Sequence, residues 1–159
     1  KFIELAAEVN LAMPYHVVDV VSHALGQEGK VLAGSRVLIV GVAFKRDIDD
    51  ARNSPAERII ELLLRRGAQV SYSDPYVPRY RVGRDVFCPE ERWLDHVEMS
   101  DEVLAAADCA VIVAGHRVVD YDRLLRSTSL VVDTDNSTRG LRGTARVVRI
   151  GAPVAMQRE

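Results

Sequence analysis

The sequence predicts an α/β fold: a Rossmann-like parallel sheet with helices on both faces, preceded by a long linker helix. Two observations carry that reading. Runs of aliphatic and β-branched residues at Arg36–Gly41, Cys109–Ala114 and Leu130–Asp133 have the composition of strands buried on both faces. Segments with helical spacing alternate with them, which implies βαβ crossovers and therefore a parallel sheet.

In chain order, Phe2, Leu5, Val9, Met13, Val17, Val20, Val21 and Leu25 recur at three and four and predict one helical face. Pro14 interrupts that face and predicts a kink, and Gly26 and Gly29 end the pattern. Arg36–Gly41 is the first strand. Ser54-Pro55-Ala56-Glu57 then combines an N-cap hydroxyl, Pro at the first helical position and Glu at the third, which predicts a capping box. The helix it opens carries Ile59, Ile60, Leu62, Leu63 and Leu64, ends in Arg65-Arg66 where cations suit the dipole, and stops at Gly67. Gln69–Ser73 reads as a strand closed by Asp74-Pro75, and 76–91 as loop. Val97–Met99 reads as a short strand, Asp101–Ala107 as a helix and Cys109–Ala114 as a strand. Tyr121–Arg126 is then a helix, and Leu130–Asp133 and Arg146–Ile150 are strands. The tail 155–159 is expected to fray.

The 159 residues suit one domain, which would bury about 70% of its unfolded surface. A hydrophobic fraction of 48% and a charged fraction of 28% describe a globular chain. Its net charge of -2 gives no broad attraction to nucleic acid. Cys88 and Cys109 alone exclude a disulfide framework or a cysteine-rich zinc site, and no metal site is predicted. No run approaches the roughly 18 apolar residues of a membrane span, so a cytoplasmic setting is expected. The chain begins at Lys1, already at helical spacing, as a fragment cut inside a helix would.

In parallel sheets ligands sit outside the carboxyl ends of the strands, here at 41–50, Asp74-Pro75, Gly115-His116 and 133–139. Gly41-Val-Ala-Phe-Lys45 lacks G-x-G-x-x-G, so these residues do not predict NAD binding. Lys45 can meet a phosphate as a point charge, or be a solvated loop lysine. Asp47, Asp49, Asp50 and Arg52 suit the dipole of the helix that follows. Asp74 stands where a ribose carboxylate would, yet Asp-Pro is also a turn opener, and the turn is the reading taken. His116 either donates to a ligand or caps its loop. Cys109, in its strand, and Cys88, with no motif around it, read as structural.

Asn10-x-x-Met13-Pro14, Gly41-Val-Ala-Phe-Lys45, Asp49-Asp-Ala-Arg-Asn-Ser-Pro55, Gly67-Ala-x-Val70, Asp74-Pro75 and Val131-Val-Asp-Thr134 together resemble the C-terminal half of the UDP-glucose/GDP-mannose dehydrogenase family. The resemblance implies a three-part enzyme: an N-terminal NAD-binding domain, a central dimerising helical region and a C-terminal nucleotide-binding domain. Residues 1–27 would then be the end of the central helix, and 34–154 the UDP-binding domain. NAD would be bound by the N-terminal part. The family oxidises the C6 alcohol of a nucleotide sugar to a carboxylate in two steps, through thiohemiacetal and thioester intermediates on a cysteine in a Cys-Phe-Pro-Lys-Asp-like segment. This chain has no such segment, so no catalytic residue is assigned and the chain alone is expected to be inactive.

Carried over by motif, Phe44 and Lys45 would contact the UDP-sugar near its pyrophosphate, and Asn53, Ser54 and Pro55 would shape the adjoining helix start. His116 followed by Asp120-Tyr-Asp122 is similar to the branch that oxidises UDP-N-acetylhexosamines. Where the family reads Asp-Thr-Arg-Asn, its arginine reaching the nucleotide, this chain reads Asp133-Thr-Asp135-Asn136. Arg139 is the candidate replacement. The intact enzyme is expected to be a homodimer in polysaccharide precursor biosynthesis. Two other classes compete: a free-standing nucleotide-sugar-binding or oligomerisation module without activity, and a phospho-acceptor domain. The second needs an acceptor aspartate after the third strand and a lysine after the fifth, which this chain lacks.

Overall fold

The computed structural model describes residues 2–85 and 88–151. Its elements in order are α1 (Phe2–Gln27), β1 (Arg36–Val40), α2 (Pro55–Arg65), β2 (Gln69–Ser73), β3 (Arg79–Gly83) and β4 (Glu91–Asp95), then α3 (Asp101–Ala106), β5 (Cys109–Ile112), α4 (Tyr121–Ser127), β6 (Leu130–Asp133) and β7 (Arg146–Arg149). Five strands form one parallel sheet in the order β2-β1-β5-β6-β7. The expected tail lies outside the described residues.

Alternation along the strands divides the core. Val37, Ile39, Val111 and Val132 face a layer made by Val17, Val21 and Leu25 of α1 and Ile59, Ile60 and Leu63 of α2. Leu38, Val40, Ile112 and Val131 face Leu104 of α3 and Leu124 and Leu125 of α4. Each fully buried Leu or Ile contributes about 1.5–3 kcal/mol, so both faces of the sheet need their helices. α1 runs through Pro14 without a break in its helical assignment. Its second half is covered by the domain, while Ile3, Leu5, Val9 and Leu11 stay exposed.

Three expectations need correction. Residues 76–91 are not all loop: β3 lies within them and pairs antiparallel with β4, Arg81 opposite Trp93. In β3 the arginines at 79 and 81 face outward and only Tyr80 and Val82 turn inward, so its apolar signal is two residues long. Val97–Met99 is not a strand. The partner of β2 there is His96, through a single parallel bridge to Tyr72. The capping box is only half formed: Ser54 Oγ accepts from the Ala56 N–H at 3.2 Å, but the Ser54 N–H donates to the Ala51 carbonyl. Glu57 lies instead beside Glu61, Arg81 and the Gly83 N–H, and burial raises its carboxyl above the usual range.

Candidate functional site

The carboxyl ends of the parallel strands bring four loops together. Gly41 leaves β1 with φ 81°, and a Cβ there would stand 2.0 Å from the Ala114 carbonyl oxygen, so only glycine lets β1 and β5 end side by side. The residues that follow, Val42 and Ala43, donate their N–H groups to Asp74 Oδ2 at 2.7 and 3.1 Å. The same oxygen lies 2.9 Å from His116 Nε2, and Asp74 Oδ1 accepts the Tyr76 N–H at 2.9 Å. Asp74 therefore opens its turn, as its Asp-Pro pair predicts, and also serves as a buried acceptor shared by three loops.

His116 is fully buried. Its Nδ1 accepts the Asp47 N–H at 2.8 Å, which assigns the ring proton to Nε2, facing Asp74. Asp47, at φ 59°, takes the Arg117 N–H at 2.8 Å and its guanidinium at 2.5 Å. The Arg117 N–H and then its guanidinium hold the Asp47 carboxyl below the usual carboxylate range. At the far end of this loop Arg52 grips Asp50 with two side-chain bonds and lowers its carboxyl to about 2.

The loop after β6 is organised by Asp133, which is fully buried and accepts the N–H groups of Asp135, Ser137 and Thr138 and the Thr138 hydroxyl. Asp135 in turn accepts the Gly115 N–H at 2.7 Å and stands 3.7 Å from the Arg46 guanidinium.

Of the predicted residues, Phe44, Asn53 and Ser54 line one groove of about 770 Å³, closed on its other side by Pro14 and Tyr15 of α1 and by Arg58. Phe44 is half exposed, and Lys45 Nζ lies 5.7 Å from its ring centroid. Ser54 is buried and caps α2, whereas Asn53 is exposed at φ 58°. His116 sits beneath this loop. Arg139 is exposed on the β6 loop, at the same edge of the sheet but outside the groove. Arg46 and Arg117 did not emerge from the sequence reading. Neither has a local pattern, since the acid that faces Arg46 is Asp135 and the acid that faces Arg117 is Asp47, both far away in the chain. Among the described residues no cluster of His, Cys, Asp and Glu suits a metal ion.

This edge does not fit NAD. The one acid at the ribose position, Asp74, is 1% exposed and already accepts from Val42, Ala43, Tyr76 and His116.

Residues 38–140 match the sequence model of the UDP-glucose/GDP-mannose dehydrogenase family, UDP binding domain. A UDP-N-acetyl-D-mannosamine dehydrogenase of Methanococcus maripaludis is 30% identical over 144 residues, covering 86% of this chain and 30% of the relative. A UDP-glucose 6-dehydrogenase of Rhizobium meliloti is 33% identical over 116 residues, covering 70% and 25%. Among solved structures, an NDP-N-acetyl-D-galactosaminuronic acid dehydrogenase from Methanosarcina mazei superposes with TM-score 0.69 at 28% identity, over 95% of this chain and 32% of the other. A UDP-D-ManNAc dehydrogenase from Pyrococcus horikoshii shares the fold, with TM-score 0.74 at 24% identity over 94% of this chain and 33% of the other. The chain thus spans about a third or less of the length of these relatives. The match over 38–140, which takes in four of the five parallel strands and the loops at their carboxyl ends, places the chain in the UDP-glucose/GDP-mannose dehydrogenase family, over its UDP binding domain.

Proposed function

We propose that the chain is the substrate-binding C-terminal part of an NAD-dependent nucleotide-sugar 6-dehydrogenase, which oxidises the C6 alcohol of a UDP-sugar to a carboxylate. The observation that carries this reading is the loop after β1: family residues Phe44 and Lys45 stand exposed at the carboxyl edge of the sheet, beside the Ser54-capped start of α2. Lys45 and Arg139 supply charge for the pyrophosphate, and Phe44 with Asn53 forms the wall toward α1. His116 contributes from below. The relatives named for UDP-N-acetyl-D-mannosamine make an N-acetylhexosamine the favoured sugar.

NAD, the hydride acceptor, is assigned to a domain outside this chain, because the residues here do not fit it. The bare apolar residues Ile3, Leu5, Val9 and Leu11 on α1 support a homodimer formed through that helix. No helix of the described residues is long and apolar enough to cross a membrane. A cytoplasmic enzyme of polysaccharide precursor synthesis fits these features.

The test has two arms. Calorimetry of the chain with UDP should show binding that uridine matches only weakly. The intact protein should form NADH when given NAD and a UDP-sugar, and the 159-residue chain alone should form none. Absence of UDP binding would overturn the reading. Binding without turnover by the intact protein would favour a non-catalytic nucleotide-sugar module instead.

A further inference from the structure

Between Gly41 and Asp50 the chain has no regular structure, yet its backbone is not free. The N–H groups of Val42, Ala43 and Asp47 all end on one buried pair of side chains: the first two on Asp74 Oδ2, the third on His116 Nδ1. The pair is closed internally by the 2.9 Å bond from His116 Nε2 to Asp74 Oδ2. A carboxylate removed from water is costly unless its oxygens are met by donors, and this one receives four N–H groups. Tyr76 packs its ring against the imidazole at 5.0 Å between centroids and covers it. The three anchors flank Phe44 and Lys45, the side chains the loop turns outward.

We propose that Asp74 and His116 are positioning residues which pin the loop 42–47 at both ends, and so present Phe44 and Lys45 to the diphosphate of a nucleoside-diphosphate ligand. The inference rests on the functional reading above. Neither residue touches the ligand: Asp74 reaches it through the Val42 and Ala43 amides, and His116 through the Asp47 amide. A pinned loop loses little backbone freedom on binding, so presenting its lysine to the phosphates costs less ordering.

Two amide replacements separate the two ends of the imidazole. His116→Gln keeps a donor toward Asp74 and removes the acceptor for the Asp47 N–H. His116→Asn places an oxygen near the former Nδ1 and keeps that acceptor. In the intact protein without ligand, residue-resolved hydrogen exchange should show the Val42, Ala43 and Asp47 amides at least about 100-fold slower than those of Lys45 and Arg46. His116→Gln should release the Asp47 amide and weaken UDP about tenfold while leaving uridine unchanged, and His116→Asn should restore both. Equal behaviour of the two variants, or a parallel loss of uridine and UDP, overturns the proposal. If neither variant folds, the parent decides: rapid exchange at Val42 and Asp47 refutes the pin, and slow exchange upholds it. A parent that shows this protection but does not bind UDP would remove the functional reading and leave the pinned loop standing.

Discussion

Asp135 reaches back from the loop after β6 to accept the Gly115 backbone N–H at 2.7 Å, tying the ends of β6 and β5 together. Its other oxygen takes the Ser137 N–H and hydroxyl, while the Arg46 guanidinium stands 3.7 Å from the oxygen that holds Gly115. Asp135 is therefore a loop tie that also offsets the charge of Arg46. Asp135→Asn keeps an oxygen for Gly115 and removes only the charge. It should melt close to the parent and bind UDP about threefold tighter, with the gain lost in high salt. Asp135→Leu should cost about 1–3 kcal/mol of stability through the unmet N–H. Equal melting temperatures for the two variants would show that the tie does not stabilise the loops.

Gly41 and Gly29 both have positive φ, 81° and 72°, but differ in surroundings. A Cβ on Gly41 would meet the Ala114 carbonyl oxygen at 2.0 Å, and one on Gly29 would meet nothing within 4 Å. Alanine at Gly29 should cost about 1 kcal/mol, the backbone term alone. At Gly41 it should cost about 2–4 kcal/mol, because backbone must move and with it the loop that carries Lys45. Urea unfolding of both variants measures the difference, and equal costs would contradict the close approach of β1 and β5.

At the opposite edge of the sheet Lys30 donates to Asp108 at 2.7 Å, and the Arg36 N–H donates to the other oxygen at 2.8 Å. The Lys30 bond first, then the Arg36 amide, lowers the Asp108 carboxyl below its ordinary 3.8. A carboxyl lowered in the folded state contributes stability above its unfolded value and loses it as pH falls through the folded one. The stability difference between the parent and Asp108→Asn should therefore be constant from pH 7 to about 5 and shrink below about pH 4. A difference that stays constant down to pH 2 would mean that Asp108 is not held in this way.

The sheet was legible in the sequence because its three central strands are buried on both faces: Val37 to Val40, Cys109 to Ile112 and Leu130 to Val132 are continuous apolar runs. Ser54, Pro55 and Gly67 mark α2 because caps are local chemistry. The β3–β4 hairpin was hidden, since Arg79, Arg81 and Trp93 lie on its outer face and leave few apolar residues inside. The loop after the first strand could be picked out as a candidate site from its place at the carboxyl edge, with Phe44 and Ser54 named there by the family resemblance alone. What could not be read is the bond between Asp74 and His116, which are 42 positions apart and meet only because β2 and β5 flank β1. Asp74 alone carries the pattern of a turn, and its second use has no local trace.

Lys45 gives the most direct measure of where the phosphates lie. It is exposed, its ammonium is held near the Phe44 ring, and among the described residues it forms no ion pair, so its charge is not already spent on a carboxylate. An ammonium beside a diphosphate acts through charge more than shape. Lys45→Met should weaken UDP by about 1–3 kcal/mol, the scale of a charge-assisted hydrogen bond, and leave uridine nearly unchanged. Arg139→Met is the companion variant, since Arg139 is exposed on the β6 loop at the same edge, and a loss in both variants is the outcome expected if the two cations share the diphosphate. A loss confined to Lys45→Met, read by calorimetry at two salt concentrations, places the diphosphate over the start of α2, where the backbone amides add to the attraction. If the loss appears only with Arg139→Met, the diphosphate lies over the β6 loop, and the groove beside Phe44 must hold another part of the ligand.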